Sequence, residues 1–319
     1  MPRVLHVLND FAGGGAERVV LELCRRAPVE QAVATVMSGG PLEAEFRAAG
    51  VPVIAGGRRS RALGAGAVAR IAAVSRSFDI VHLHLAAGEI WGGLAAAIAG
   101  RAAISTNHNI DVDEDWERPA RRLLEQRLRL TVAVSEAVAR SCQARDIRVV
   151  PNGVDLPRFA APWRGGTGVL AVGRRVPQKG FDVLAAAAPG LRVRVAGDGA
   201  YHAPGLEWLG RRDDVPALLA EADVLAVPSR WEGFGLAALE GMAAGVPVVA
   251  SDVDGLAEVV GDAGVLVPPG NPRALREALD RVLLDRDFAQ DLSRRGRERA
   301  RRYGMERMVG SYVEIWRGL

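Results

Sequence analysis

Short apolar runs alternate with helical stretches along this chain, and the alternating pattern is completed twice. Neighbouring parallel strands are joined by crossovers that usually contain a helix, so this alternation is typical of parallel α/β sheets. Strands are predicted at residues 4–8, 32–37, 80–83, 102–105, 132–134, 148–150, 168–172, 193–196, 206–209, 224–227, 246–250 and 265–267. The pattern therefore predicts the α/β class, with two doubly wound parallel sheets.

The chain length supports the same division. At 319 residues, the chain is longer than one hydrophobic core usually serves. A turn signal at residues 151–155 precedes a stretch rich in Pro and Gly at 156–168, which we interpret as a linker. We predict an N-terminal domain at 1–155, a C-terminal domain at 156–304 and a final helical segment at 305–319.

The composition excludes several classes of protein. Apolar residues make up 49% and charged residues 25% of the chain, as in globular α/β proteins. The apolar runs are too short or too interrupted to span a bilayer, and no signal peptide is evident. Cys24 and Cys142 are expected to be free thiols in a reducing compartment. The net charge of +3 comes without a basic, aromatic-bearing stripe, so no nucleic-acid partner is expected. We predict a cytoplasmic protein.

Two carboxylates lie in the most informative stretch, Glu232 in a Gly-rich turn and Glu240 in an Ala-rich helix. The apolar run at 223–227 before them is predicted to be a buried strand. A helix that begins after such a turn favours an anion at its first turn, through unpaired N–H groups and its dipole. Glu240 is placed to accept hydrogen bonds from neutral hydroxyls. A nucleotide sugar carries both the phosphate and the vicinal hydroxyls that this pattern suits.

The only lysine of the chain, Lys179, lies in a Gly-Arg loop directly after the predicted strand at 168–172. An ammonium is a compact charge on a flexible stem and reaches a single phosphate oxygen in a way that a planar guanidinium does not. The loop is therefore a candidate phosphate site. The alternative is a solvated turn whose lysine is accidental.

Both segments resemble motifs of one large family. The stretch from Glu232 to Glu240, with its inner Gly-Phe-Gly-Leu, resembles the donor-binding motif of retaining glycosyltransferase family 4. The loop with Arg174 and Lys179 is similar to the Gly-Arg-x5-Lys-Gly loop of that family. The resemblance covers nearly the whole chain, and its specific motifs are concentrated in residues 173–258.

The resemblance implies the GT-B fold, in which two Rossmann-like domains face each other across a cleft, with the final helix packing back on the first domain. It also implies that Glu240 holds the ribose hydroxyls, Glu232 the transferred sugar, and Arg174 with Lys179 the diphosphate. The donor-binding residues would be Gly173, Arg174, Lys179, Glu232, Gly233, Phe234, Gly235, Leu236 and Glu240.

A glycine run, Gly13, Gly14 and Gly15, follows the first predicted strand and precedes a helix, so its amides are placed to receive an anion. A dinucleotide-binding fingerprint fails here, because its third glycine would stand at Arg18. The run resembles the first loop of the family, which faces the acceptor and the reacting sugar. The alternative is a close-packed turn between strand and helix.

Histidines at predicted strand ends are the remaining candidates in the first half. His108 follows the strand at 102–105, where a histidine can donate a hydrogen bond to a sugar hydroxyl or to developing charge. The family has a similarly placed histidine near the donor sugar. His82 and His84 share one face of their strand, and His84 is the better candidate for the acceptor side. Structural histidines remain the alternative.

Metal sites are not expected. Asp111 with Asp113, and Asp252 with Asp254, look like the Asp-x-Asp metal motif of a different glycosyltransferase fold. The first pair lies in a polar loop, and a magnesium site usually recruits further carboxylates or phosphates. The second pair matches the family's loop after the donor helix, except that Asp254 stands where glycine is common.

Together these features predict a metal-independent glycosyltransferase that uses a nucleotide-diphosphate sugar, needs no cofactor and transfers to an acceptor hydroxyl of unknown identity. The family resemblance implies that the anomeric configuration is retained. The alternatives are a sugar-nucleotide epimerase of the same fold and a non-catalytic sensor of sugar nucleotides. A third enzyme class, a pyridoxal phosphorylase, needs a second lysine.

A helix predicted after Pro119 motivates a further expectation. Arg118, Arg122 and Arg129 fall on one side of the segment at 116–130 and would give weak, salt-sensitive docking on an anionic leaflet. This predicts peripheral contact with the inner face of the membrane and an acceptor near it. The alternative is an ordinary solvated helix face.

Overall fold

A computed structural model describes residues 1–56, 65–110 and 124–319. The chain divides into two compact units. Met1–Gly153 and Glu306–Leu319 form the first unit, and Val154–Met305 forms the second. The two sheets confirm the predicted fold class of two parallel α/β domains.

In the part of the first unit that is described, seven strands form one sheet in the order β3-β2-β1-β4-β5-β6-β7, and all neighbours are parallel. The strands are β1 (Arg3–Leu8), β2 (Glu30–Thr35), β3 (Val53–Ile54), β4 (Ile80–His84), β5 (Ala102–Asn107), β6 (Leu130–Ala133) and β7 (Ile147–Val149). The α-helices are Gly15–Arg26, Glu43–Ala48, Ala65–Ser75, Ala86–Ala99, Glu136–Ser141 and Met305–Arg317, the last of which belongs to this unit from Glu306.

The second unit has a six-stranded parallel sheet in the order β10-β9-β8-β11-β12-β13. Its strands are β8 (Val169–Val172), β9 (Val193–Ala196), β10 (Glu207–Gly210), β11 (Val224–Val227), β12 (Val248–Ser251) and β13 (Val265–Val267). Its α-helices are Phe181–Ala187, Val215–Glu221, Leu236–Ala244, Asp254–Val260, Pro272–Leu284 and Arg286–Ala300. Short 3-10 turns lie at Leu156–Phe159, Pro177–Lys179, Gly261–Ala263 and Arg301–Tyr303.

Several strands are buried along their whole length, as is typical of parallel strands that are covered by helices on both faces. Every residue of β4, β9, β11 and β12 is buried. The strand prediction missed β3, because two residues are too short for a periodic signal. It also placed β2 two residues late.

In each sheet the strand order reverses once, between β1 and β4 and between β8 and β11. Ligands of open parallel sheets bind outside the carboxyl ends of the strands at such reversals. The loops that follow β8 and β11 are the two that carry Lys179 and Glu232. The sheet topology therefore brings together two motifs that lie 53 residues apart in the sequence.

Candidate functional site

The two loops of the second unit are tied to each other by several hydrogen bonds. The backbone N–H of Arg230 donates to the carbonyl of Gln178 at 2.8 Å, and the side-chain amide of Gln178 donates to the carbonyl of Trp231 at 3.0 Å. The Arg230 guanidinium binds both carboxylate oxygens of Asp182, at 2.8 and 2.6 Å. These hydrogen bonds from Arg230 lower the pKa of Asp182. The loops are held in place before any ligand arrives.

Gly180 makes this close approach possible. Its backbone is left-handed, with φ at 64°, and a Cβ there would overlap the carbonyl oxygen of Pro228 in the other loop. No other residue meets both demands, since a side chain is strained in this conformation and blocked in this position. The glycine directly after Lys179 is therefore required by packing.

Lys179 and Glu232 form an ion pair, with 2.5 Å between Nζ and Oε1. The same Oε1 accepts a hydrogen bond from Ser229 Oγ at 2.8 Å. Their side chains are 18% and 11% exposed, so the pair lies close to the surface but is largely shielded. The sequence assigned the two residues to different parts of the donor, and the structure joins them directly. Ser229 was not singled out by the sequence.

Arg174 is exposed, whereas Arg175 is used in packing. The guanidinium of Arg175 lies 5.2 Å from the centre of the Trp208 ring and donates to the carbonyl of Gly199. The long stem and planar head of Arg175 thus pack against an aromatic face. Gly173 contacts the stem of Lys179, because a Cβ there would lie 3.3 Å from Lys179 Cε.

The turn after Glu232 leads into the helix Leu236–Ala244. Gly233, Phe234 and Gly235 are buried, and Glu240 is half-buried within the helix. A Cβ at Gly255 would overlap the carbonyl oxygen of Gly233, so this third loop also approaches closely. Asp252 and Asp254, in contrast, are exposed.

In the first unit, the predicted anion loop leads into the helix Gly15–Arg26, with Gly14 as its N-cap. The carboxylate of the buried Glu17 packs against this N-terminus, since a Cβ on Gly14 would lie 2.7 Å from Glu17 Oε2. An internal carboxylate thus lies at the loop formed by Gly13, Gly14 and Gly15. The sequence did not reveal it.

Four histidines of the first unit are packed together, with His6 and His82 inside β1 and β4 and with His84 and His108 at the carboxyl ends of β4 and β5. His6 Nδ1 lies 3.0 Å from His84 Nε2, and His84 Nδ1 lies 3.2 Å from His108 Nε2. His6 Nε2 lies 3.0 Å from Gln31 Oε1. His6 and His84 are completely buried, whereas His108 is half-buried. A ligand at the surface can therefore reach His108 but not His84. His6 and Gln31 are additions to the candidate residues, since a histidine inside an apolar strand gives no sequence signal of its own.

His82 belongs to a separate branch of hydrogen bonds. Its Nε2 lies 2.7 Å from Thr106 Oγ1, and its Nδ1 accepts from Trp316 Nε1 at 3.3 Å. Thr106 Oγ1 in turn lies 3.2 Å from the hydroxyl of Tyr312. The final helix is thereby fixed on β4 and β5 through buried polar contacts.

Burial keeps these imidazoles neutral. Desolvation lowers the pKa of His6 from its ordinary 6.5 to about 4, against a smaller opposing effect of the hydrogen bond to Gln31. Desolvation likewise lowers the pKa of His108 to about 4. The pKa values of His82 and His84 are lowered by the same desolvation, with further contributions from the neighbouring histidines.

Within the described ranges, the only group of three or more potential metal ligands is His6, His82 and His84, whose ligand atoms lie within 4.8 Å of one another. The sequence singled out His82 and His84, and His6 completes the cluster. All six of its ring nitrogens already have hydrogen-bond partners in the protein. An ion would have to displace these partners.

Leu85, directly after His84, has φ at 64° and ψ at 159°. Among the described residues, it is the one non-glycine residue whose φ is positive. Strained backbone of this kind often lies at functional sites. Here it joins the end of β4 to the helix Ala86–Ala99, whose Gly88 N–H donates to Asn9 Oδ1 at 2.8 Å.

Several predictions fall outside the described residues. Asp111, Asp113 and the predicted membrane-docking helix up to residue 123 are among them. In the part of the chain that the structure does describe, no helix has the length and apolar character needed to cross a membrane.

Two sheets of this topology, with the loop pair around Lys179 and Glu232, define a GT-B protein. A family model described as Glycosyltransferase Family 4 matches residues 13–158, and one described as Glycosyl transferases group 1 matches residues 166–285. A phosphatidyl-myo-inositol mannosyltransferase of Mycolicibacterium smegmatis is 32% identical over 280 residues, which are 75% of this chain and 71% of that protein. The chain belongs to glycosyltransferase family 4.

Other similar proteins match different shares of this chain. An uncharacterized glycosyltransferase of Methanocaldococcus jannaschii, MJ1178, is 33% identical over 167 residues, which are 47% of this chain. The chain thus spans about half (48%) of the length of that relative. The crystal structure of HepE (Alr3699) from Anabaena with UDP and glucose has a TM-score of 0.89 at 21% identity, and covers 100% of both chains. The likeness to HepE shows a shared fold.

Proposed function

We propose that this protein is a retaining hexosyltransferase, independent of metal ions, that moves a sugar from a nucleotide-diphosphate sugar to an acceptor hydroxyl. The observation that carries this proposal is the arrangement of Lys179, Ser229 and Glu232 at the strand-order reversal of the second unit. It offers a cation and a carboxylate side by side, which suits a ligand with phosphate at one end and hydroxyls at the other.

The ion pair leaves both partners with capacity for a ligand. An ammonium has three N–H donors, and one of those of Lys179 is directed to Glu232, so the others are available for diphosphate oxygens. Glu232 Oε1 accepts from both Lys179 and Ser229, which leaves Oε2 to accept from a sugar hydroxyl. Arg174 and the N–H groups at the start of the helix Leu236–Ala244 add positive charge, and Glu240 accepts from the ribose.

Uridine is the first donor base to test. HepE, which shares the fold, has been crystallised with UDP-glucose. The mannosyltransferase of M. smegmatis acts, by its name, on phosphatidyl-myo-inositol, so a lipid-linked acceptor near the inner face of the membrane is the corresponding acceptor to test.

Transfer with retention needs no protein nucleophile. The bond from the anomeric carbon to the phosphate oxygen breaks, and the acceptor oxygen bonds to the same face of that carbon. The acceptor proton passes to the leaving phosphate oxygen, which yields a nucleoside diphosphate and a glycoside. Positioning and stabilisation of the diphosphate charge are then the work of the protein. His108 contributes a hydrogen bond at the reacting sugar.

The experiment is a thermal shift of the purified protein against a panel of nucleotide sugars that includes UDP-glucose. Binding at one hundred times Kd stabilises the folded state by about 2.7 kcal/mol, which is readily measured. For each donor that binds, NMR of the released or transferred sugar then gives the anomeric configuration of the product. Retention requires this configuration to match that of the donor. Binding without turnover would favour a sensor, and an epimerised donor would favour an epimerase.

Metal independence is tested in the same assay. We expect turnover to be unchanged in EDTA, because Lys179, Arg174 and helix amides take the role that Mg²⁺ has in other transferases. Activity that is lost in EDTA and restored by Mg²⁺ or Mn²⁺ would refute this part of the proposal.

A further inference from the structure

The buried contacts between Gln31, His6, His84 and His108 form one continuous chain of hydrogen bonds. Each link joins two ring nitrogens, or a ring nitrogen and an amide oxygen, at 3.0 to 3.2 Å. Such a link holds one proton, since two protons would collide and none would leave two lone pairs facing each other. If the proton of any one link is fixed, the others follow.

Gln31 fixes the first link. Its amide nitrogen lies 3.1 Å from the carbonyl oxygen of Leu23 and 3.5 Å from that of Ala27. Carbonyl oxygens only accept, so the NH₂ group must face them and the amide oxygen must face His6. His6 Nε2 therefore carries the proton and donates to Gln31 Oε1.

The remaining links then have one direction. A neutral His6 that is protonated at Nε2 has a bare Nδ1, so His84 Nε2 carries the proton between them. A neutral His84 then has a bare Nδ1, so His108 Nε2 donates to it. Complete burial of His6 and His84 disfavours the imidazolium form. An imidazolium carries a proton on both nitrogens, so it would not pass a fixed direction from one link to the next.

We propose that Gln31, His6 and His84 are positioning residues that fix the tautomer of His108, so that its Nδ1 is a bare acceptor for a hydroxyl of the bound substrate. Nδ1 is then unable to donate to a sugar hydroxyl or to developing negative charge. The direction of the hydrogen bond at His108 is thus set by an amide two imidazoles away. This inference rests on the proposed function only for the identity of the hydroxyl.

The tautomers are measured directly, with no nucleotide sugar present, by long-range ¹H–¹⁵N NMR of protein labelled at its five histidines. We expect His6, His84 and His108 to show a protonated Nε2 and an unprotonated Nδ1 at pH 7. A protonated Nδ1 at His108, or a doubly protonated His84, would overturn the proposal. This measurement needs only the wild-type protein.

Gln31→Met removes the amide that sets the direction, and we expect both nitrogens of His108 to shift towards the values of a tautomer mixture. The matched control is Ser105→Ala, which removes a buried hydrogen bond to Thr131 Oγ1 in the same sheet and should leave the His108 signals unchanged. A His108 tautomer that is unaffected by Gln31→Met, in protein that remains folded, would contradict the role of Gln31.

The last arm adds UDP-glucose and follows His108 Nδ1. A hydroxyl that donates to this nitrogen shifts its resonance while Nε2 stays protonated. UDP-glucose that raises Tm but leaves Nδ1 unmoved would overturn the acceptor role. Absence of any rise in Tm would count against a uridine donor, whereas the tautomer result would stand on the measurement without ligand.

Discussion

Lys179 is the only lysine of the chain. Its Nζ lies 2.5 Å from Glu232 Oε1. We expect Lys179→Ala to lower kcat about 100-fold, the effect of losing one preorganised donor to developing charge. Lys179→Arg should not restore it, because a planar guanidinium does not replace a compact point charge. The measurement is initial rate with the best donor of the thermal-shift panel.

The control for this prediction is Arg273→Ala. Arg273 is a cation whose side chain is 89% exposed and pairs with Glu277 on a helix surface, so its loss should leave kcat within twofold. A Lys179→Ala enzyme with the turnover of the wild type would sink the assignment of this loop to the diphosphate.

Leu85 gives a prediction on stability. A φ of 64° with ψ of 159° is a region that glycine occupies readily and that costs other residues about 1–3 kcal/mol. Leu85→Gly and Leu85→Ala both remove the isopropyl group beyond Cβ, but only the glycine variant also removes Cβ and relieves the backbone. Thermal unfolding should therefore rank Leu85→Gly above Leu85→Ala. The opposite order would mean that the strain is absent in solution.

At the level of elements, the approach of the two donor loops depends on Gly180. Gly180→Ala and Gly190→Ala both place a side chain at positive φ, 64° and 78°, but only the first also overlaps another loop. A Cβ at Gly190 has no atom within 4 Å. We expect Gly180→Ala to be less stable than Gly190→Ala by about 1–3 kcal/mol, the usual cost of overpacking.

Donor binding separates this effect from general instability. In Gly180→Ala the loop of Lys179 must move away from Pro228, so its thermal shift with the donor should shrink, whereas Gly190→Ala should keep the wild-type shift. Equal stability and equal donor binding in the two variants would contradict the packing argument.

Elements with strong local signals were predictable, and those that depend on distant partners were not. The apolar runs of β8 and β11 and the glycines around Glu232 revealed the strand-turn-helix order. β3 has two residues and therefore no periodicity. The ion pair between Lys179 and Glu232 depends on strand order, which local sequence does not encode.

At the scale of the whole molecule, the same limit applies to the buried histidines. His6 and His84 are 78 residues apart and lie in strands that become neighbours only when the sheet forms. A histidine inside an apolar run looks like an isolated exception, and only the sheet topology reveals the cluster. The residues that set the properties of His108 are therefore found in the core. The sequence singled out His84 among them, but neither His6 nor Gln31.

The cluster also makes stability depend on pH. Burial lowers the pKa of His6 and of His108 from 6.5 to about 4, so between these values the unfolded chain binds more protons than the folded chain. Stability is therefore highest above pH 6.5 and falls as the pH drops from 6.5 towards 4. His6 alone accounts for about 3 kcal/mol over this range, at 1.36 kcal/mol per pKa unit.

Tm measured from pH 7.5 to 4.5 should fall steadily below pH 6.5. Asp182 and Glu22 have lowered carboxyl pKa values, so their contributions are lost at more acidic pH than the first part of this decline. His202 is exposed and outside the cluster, and His202→Gln should therefore reproduce the wild-type curve. A Tm that stays level between pH 7 and 5 would mean that the four clustered histidines are protonated as easily in the folded chain as in the unfolded chain, against their burial.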